Sequence, residues 1–249
     1  MMLKFFILLA LLIPGQFPAP KNVSSEALGA VQYEVRYKLG ALDTKVADAT
    51  ISLEKGKWEQ QAVLHSHASI RASSIFRLFL NAEYIADAYL TPGGQEPVYS
   101  FNPIKKGGKE GKFACTYDRK AKTITTEFVK PPADPVTQTL PLDGKTMDML
   151  SLLQYVRFQN FKAGESRSLR LMMGANTVSA TLSFQGADTE RFSGVKAERF
   201  VLKMVERGLM ENGSGSEITV WRSAGADRRI LGLETALSSG VMVVTVKEP

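Results

Sequence analysis

Two histidines, one cysteine and scattered carboxylates are the residues of this chain that could do chemistry. His65 and His67 are the only histidines among 249 residues, and a spacing of two within an alternating stretch puts both rings on one strand face. Neutral imidazole nitrogens so placed can ligate a metal, with a third donor from an acidic residue such as Asp87. No HExxH pattern or cysteine cluster accompanies them, and the alternative is the exposed polar face of a meander strand. Cys115, the single cysteine, shares a strand face with Phe113 and Tyr117, the setting of a buried and inert thiol. A nucleophilic cysteine would need a neighbouring base or a helix N-terminus to lower its pKa.

Other catalytic signatures fail on spacing. Gly213, Ser214, Gly215 and Ser216 do not form a GxSxG elbow and read as a turn. Gly107 and Gly111 enclose one residue too few for a phosphate-cradling loop, and Phe113 follows Lys112 where Ser or Thr is required. Carboxylate pairs for glycoside hydrolysis meet in space, so their separation in sequence does not discriminate. The pattern calls for no cofactor, and the reading leans away from an enzyme.

The elements that must position these residues are mostly strands. Val31, Tyr33, Val35 and Tyr37 alternate with Gln32, Glu34, Arg36 and Lys38, a half-buried strand. Val46 to Leu53 begins a second strand, Gly56 is expected to turn the chain, and Trp58 to Ser69 completes a meander. Ser73 to Leu80 breaks the alternation and reads as a short helix. Strands resume at Tyr84 to Leu90, Pro97 to Phe101, Gly111 to Asp118 and the β-branched Thr123 to Val129. Lys105, Lys106, Lys109 and Lys112 form a basic hairpin tip that could touch acidic head groups or sugars, though a solvated hairpin end accounts for it as well.

The run from Asp143 to Met173 organises the rest. Met149, Leu152, Leu153 and Val156 recur at i, i+3, i+4 and i+7, one face of a helix that Leu150 and Phe158 widen. Thr146 is the expected N-cap, with Asp148 in the first turn and Lys162 and Gly164 marking the exit. This helix should plug or cover an open side of the sheet. Prolines 131, 132, 135 and 141 make residues 131–143 an excursion that cannot join a sheet interior. After the helix, six further alternating segments run to Val246, about a dozen strands in all. Gly40-Ala41 followed by Ala49 to Leu53, and Gly174-Ala175 followed by Ala180 to Phe184, read as two similar hairpins. The fold class is therefore all-β and mainly antiparallel, a large curled meander or barrel-like sheet with one or two covering helices.

Lys4 precedes nine apolar residues, Phe5 to Ile13, too few for the about 20 that span a bilayer. That pattern is a cleaved secretory signal, placed at residues 1–19 with an alternative cut after Ala27; a retained tether is the competing reading. No cysteine follows the run, so a lipid-anchored N-terminus is not expected. Residues 28–249 then form one barrel-like β domain, periplasmic or facing the outer envelope, without a transmembrane helix. The net charge of +6 is modest, and the aromatic and basic interleaving of a nucleic-acid platform is missing.

Three motifs in order carry a family resemblance. They are Tyr33-Glu34-Val35-Arg36-Tyr37 with Ala49-Thr50-Ile51-Ser52-Leu53; Asp148 through Leu152, Leu153, Tyr155 and Arg157 to Gly164; and Val220-Trp221 with Asp227, Arg228 and Arg229 before a final β run. Together they resemble DUF3108, an exported bacterial family of unknown function, from Leu28 to Val246. The resemblance implies an exported all-β fold with a curled, barrel-like meander, and it supplies no activity. The chain departs where a proline usually follows the arginine after the Trp motif; Leu231 and Gly232 stand nearby. Trp221, Arg157 and Tyr155 are the ligand-binding candidates, with a core anchor as the alternative for Trp221 and pairing to helix carbonyls or a carboxylate for Arg157. The expected function is an envelope-associated binding or scaffolding module for an amphipathic or polysaccharide-related ligand. Its partner would be an envelope lipid, polysaccharide or protein. The competing expectation is a hydrolase of envelope polymers using carboxylates or a metal on His65 and His67.

Overall fold

A computed structural model describes residues 23–73, 83–106, 109–129, 133–192, 194–205 and 217–247. The segment read as a secretory signal (residues 1–19), nearly all of the Ser73 to Leu80 stretch expected to be helical and the expected turn at Gly213 to Ser216 lie outside these residues, as do the side chains of Lys105, Lys106 and Lys109.

The described residues open with a single helical turn, Ser25–Ala27, and then a meander. Its first strands are β1 (Gly29–Leu39), β2 (Leu42–Trp58), β3 (Gln61–Ala72) and β4 (Glu83–Leu90). They continue into β5 (Pro97–Lys106), β6 (Lys109–Asp118), β7 (Thr123–Val129) and β8 (Val136–Pro141). Two residues of β9, Thr146–Met147, lead into the helix α1, Met149–Phe158. A second meander follows: β10 (Ser166–Met173), β11 (Asn176–Asp188), β12 (Ala197–Val205), β13 (Glu217–Ser223), β14 (Ile230–Leu237) and β15 (Gly240–Val246).

All fifteen described strands belong to one curled, unclosed sheet in which the two meanders are joined by antiparallel pairing of β1 with β15, Tyr33 opposite Val246. The free edges, β8 and β9, are neighbours in sequence, separated only by residues 142–145. Backbone bonds do not close this seam. Side chains do: Cys115 and Tyr117 of β6, Ile124 of β7, Leu142 and Met172 of β10 form one buried cluster across it.

Several local expectations are corrected. The turn after β2 is at Glu59 and Gln60, both at positive φ (45° and 69°), the twist that suits a two-residue hairpin. Gly56 lies inside β2 opposite Val63. The proline-rich interval contains β8, which pairs only with β7, so Pro141 sits on an edge where its missing N–H breaks no ladder. Gly40 and Gly174 do turn two hairpins, at φ 57° and 61°.

The helix begins two residues later than expected. Thr146 lies in β9, and Asp148 is the N-cap, accepting from the Ser151 amide at 2.9 Å. It ends at Phe158 with an extended residue, Gln159, and no glycine. Leu150 to Arg157 are all buried, so α1 is an interior plug with contacts all round. Leu152, Leu153, Tyr155 and Val156 join a core drawn from both meanders. Leu150 turns the other way, onto Leu53, Leu64, Ala86 and Leu90 of β2 to β4. The polar residues of the buried helix are matched in kind. Gln154 Nε2 donates to Ser66 Oγ at 2.9 Å and its amide oxygen accepts from Arg157 Nη1 at 3.0 Å, since a buried polar group left unpaired costs about 1–3 kcal/mol.

Candidate functional site: a cavity beside the plug helix

Strands β2, β3 and β4 turn Ala49, Ala68 and Ala86 toward α1, with Ala68 in register with both Ile51 and Ala86. Three alanines where larger residues would touch the helix leave space between its first turns and the sheet. The result is a cavity of about 470 Å³, whose wall also includes Tyr33, Ile70, Met149, Leu153 and Val244. A smaller hollow of about 150 Å³ adjoins it, with Met149, Leu153, Leu233 and Val244 common to both walls.

Tyr84 and Met173 line the larger cavity and are 50% and 43% exposed, so the cavity reaches the surface between β4 and the end of β10. Met172, which seals the β8–β9 seam, is also a lining residue; the mouth therefore lies beside the seam. The polar wall consists of Thr50, Tyr84, Ser100, Asn102 and Asp148. Asn102 Nδ2 donates to the Tyr84 hydroxyl at 3.3 Å.

Asp148 is the charged group of this wall. Its oxygens accept from the Ser151 amide at 2.9 Å and the Ser151 hydroxyl at 2.5 Å. Burial raises its carboxyl above the ordinary value despite these bonds. Asp148 is half-buried and lines the cavity. Burial also raises the Tyr84 phenol, and the charge of Asp148 adds to the effect.

The residues singled out in the sequence lie elsewhere. His65 and His67 sit on the opposite sheet face from Leu64, Ser66 and Ala68. His65 Nε2 and His67 Nδ1 both meet Asp87 Oδ1, at 2.8 and 2.9 Å, and His65 Nδ1 meets Glu54 at 3.1 Å. Asp87 does join the pair, as a hydrogen-bond acceptor shared by both rings. Tyr89 stacks on His65, and Trp58 on Tyr99, at centroid distances of 4.4 and 4.0 Å. Among the described residues, no group of three or more His, Cys, Asp or Glu is arranged to hold a metal.

Trp221 packs with Phe192, Ala197 and Leu231 in a small cluster apart from the cavity, and its Nε1 donates to Asp188 at 2.9 Å. Gly232 follows Leu231 where a Cβ would come within 2.7 Å of the Val244 carbonyl, so close strand packing occupies the position where the family pattern departs. Tyr155 is fully buried and its hydroxyl accepts from Arg167 Nη1 at 2.9 Å. Arg157 is committed to protein carbonyls: Nη2 to Ala27 at 2.7 Å and Nε to Arg228 at 3.2 Å. It fastens the Ser25–Ala27 turn and the β13–β14 loop to the plug. The cavity residues were missed in the sequence. The available signal was alanine at the inward positions of three successive strands.

These features define a curled, barrel-like antiparallel β protein with an internal helix and a cavity beside it. The chain belongs to DUF3108, a family described as of unknown function, whose model matches residues 32–245. No curated protein is a significant match. Among solved structures, a β-barrel-like protein of the domain of unknown function DUF1849 from Brucella abortus is similar, with a TM-score of 0.54 and 10% identity. The alignment covers 88% of this chain and 95% of that one, a likeness of fold. The lipoprotein LppX of Mycobacterium tuberculosis aligns over 89% of this chain and 88% of its own at 13% identity. Its TM-score of 0.26 is too low to bear on the argument. No helix among the described residues is long and apolar enough to cross a membrane.

Proposed function

We propose that this protein is an exported, non-catalytic binding module that holds one amphipathic molecule in the cavity beside α1. The observation that carries the reading is a largely apolar hollow of about 470 Å³ with a surface mouth at Tyr84 and Met173. That volume falls among small-molecule sites, which run to about 300–1,000 Å³. Each methylene transferred from water contributes about 0.8 kcal/mol, and association costs at least about 4 kcal/mol. A tail of about ten carbons would then net about 4 kcal/mol, on the order of a millimolar Kd, and each further carbon tightens binding. Export rests on the first 19 residues. A cut after Ala19 keeps Val23 and Ala27, which pack against β2–β4 and α1; a cut after Ala27 would remove them.

The test is displacement of an environment-sensitive apolar fluorophore by long-chain alcohols, in the native protein and in Ala86→Phe. The native protein should bind the fluorophore and release it to the alcohols. Ala86→Phe should stay folded and lose most of the signal. Equal binding by both proteins would show that the fluorophore sits elsewhere and would refute the reading.

A further inference from the structure

Resting on the binding reading above, we infer that the cavity selects amphiphiles whose polar end donates hydrogen bonds, an alcohol or amine head, and rejects a carboxylate head. The ground is the chemistry of the wall. An ionised carboxylate offers about four acceptor positions and no donor, and Ser151 occupies two of those of Asp148. The remaining lone pairs belong to a residue that lines the cavity. Asn102 commits its amide nitrogen to Tyr84, which leaves its amide oxygen as a further acceptor in the same wall.

A helix N-terminus ordinarily welcomes an anion. Here Asp148 already supplies that negative charge as the N-cap, so an anionic head would meet a like charge. Among the described lining residues there is no lysine, arginine or histidine to offset it. The surroundings are apolar, where Coulomb interactions are less screened than in water. A hydroxyl or ammonium group donates to the same carboxylate and gains from that setting.

The experiment compares dodecanol, dodecylamine and dodecanoate, which share one tail, as displacers of the same fluorophore at neutral pH and below their aggregation concentrations. The alcohol and amine should bind at least about tenfold more tightly than the acid, equivalent to about 1.4 kcal/mol. In Asp148→Asn the acid should gain and the gap should narrow. Asp148→Ser, which also keeps a capping oxygen, is the second variant should the first fold poorly. If dodecanoate matches dodecanol in the native protein, the head-group inference is overturned while the cavity reading stands. If none of the three displaces the fluorophore from the native protein, both readings fall together.

Discussion

Arg222 of β13 donates from Nη1 to the Gln159 carbonyl at 2.8 Å, and this long-range bond closes the C-terminal end of α1. The same nitrogen reaches the carbonyls of Val156 and Arg157, and the other side of the guanidinium pairs with Glu198. Helices commonly end on a left-handed glycine that satisfies the last carbonyls. This one ends on a side chain from a strand more than sixty residues away.

Arg222→Ala should therefore loosen the plug as well as remove a charge. Arg222 is 2% exposed, and its loss strands several carbonyls and the Glu198 carboxylate. Breaking a fully buried pair costs about 3–5 kcal/mol, and with Glu198 26% exposed the loss should fall at the lower end of that range. Urea unfolding should show that loss, and Arg222→Lys should recover only part of it, because an ammonium cannot reproduce the planar fork. A loss below about 1 kcal/mol, the scale of an exposed pair, would contradict this account.

Trp221 is its neighbour in sequence but serves a separate cluster. Trp221→Phe removes the bond to Asp188, at a cost of about 1 kcal/mol. That bond is the main cause holding the Asp188 carboxyl below its ordinary value, so the variant should let its pKa rise, as followed by NMR titration. Fluorophore binding in the cavity should persist in the folded variant. Loss of binding without loss of stability would return Trp221 to the ligand site.

Cys115 is wholly buried in the seam cluster. Burial, reinforced by the charge of Asp148, pushes its thiol up to about 12, which leaves almost no thiolate at neutral pH. A thiol reagent should label the folded protein at least about a thousandfold more slowly than the urea-unfolded chain, in line with the small open fraction of a stable fold. Rapid labelling under native conditions would mean that the β8–β9 seam opens freely.

Asp148 makes stability depend on pH in a direction opposite to that of Asp48 and Asp188. Its folded pKa lies above the ordinary 3.8, so the folded state holds the proton more tightly than the unfolded chain. Its contribution is full below 3.8 and is lost as pH rises through the folded value. Asp48 and Asp188, lowered by their partners, lose their contributions as pH falls. Subtracting the wild-type curve from that of Asp148→Asn removes these shared parts. The difference should favour the variant increasingly as pH climbs above 3.8 and then level off; a flat difference would refute the raised pKa.

Much of the architecture was legible in the chain itself. Tyr33 and Val35 inward against Glu34 and Arg36 outward, the apolar stripe of α1 and the hairpin glycines are local patterns, and local geometry reads them. Turns set by backbone twist without glycine, as at Glu59 and Gln60, were not legible. Neither was the strand β8 itself: its prolines excluded a sheet interior, which holds, but did not reveal that the interval pairs along the edge.

The sequence by itself determined the period of each segment and which side chains share a face, because a strand alternates and a helix repeats whatever surrounds it. The tertiary arrangement decided the pairing of Tyr33 with Val246, the capping of α1 by Arg222 and the hollow beside Ala49, Ala68 and Ala86. Those features depend on how side-chain volumes and unpaired carbonyls from distant segments add up at one place, and no single stretch of chain contains that sum.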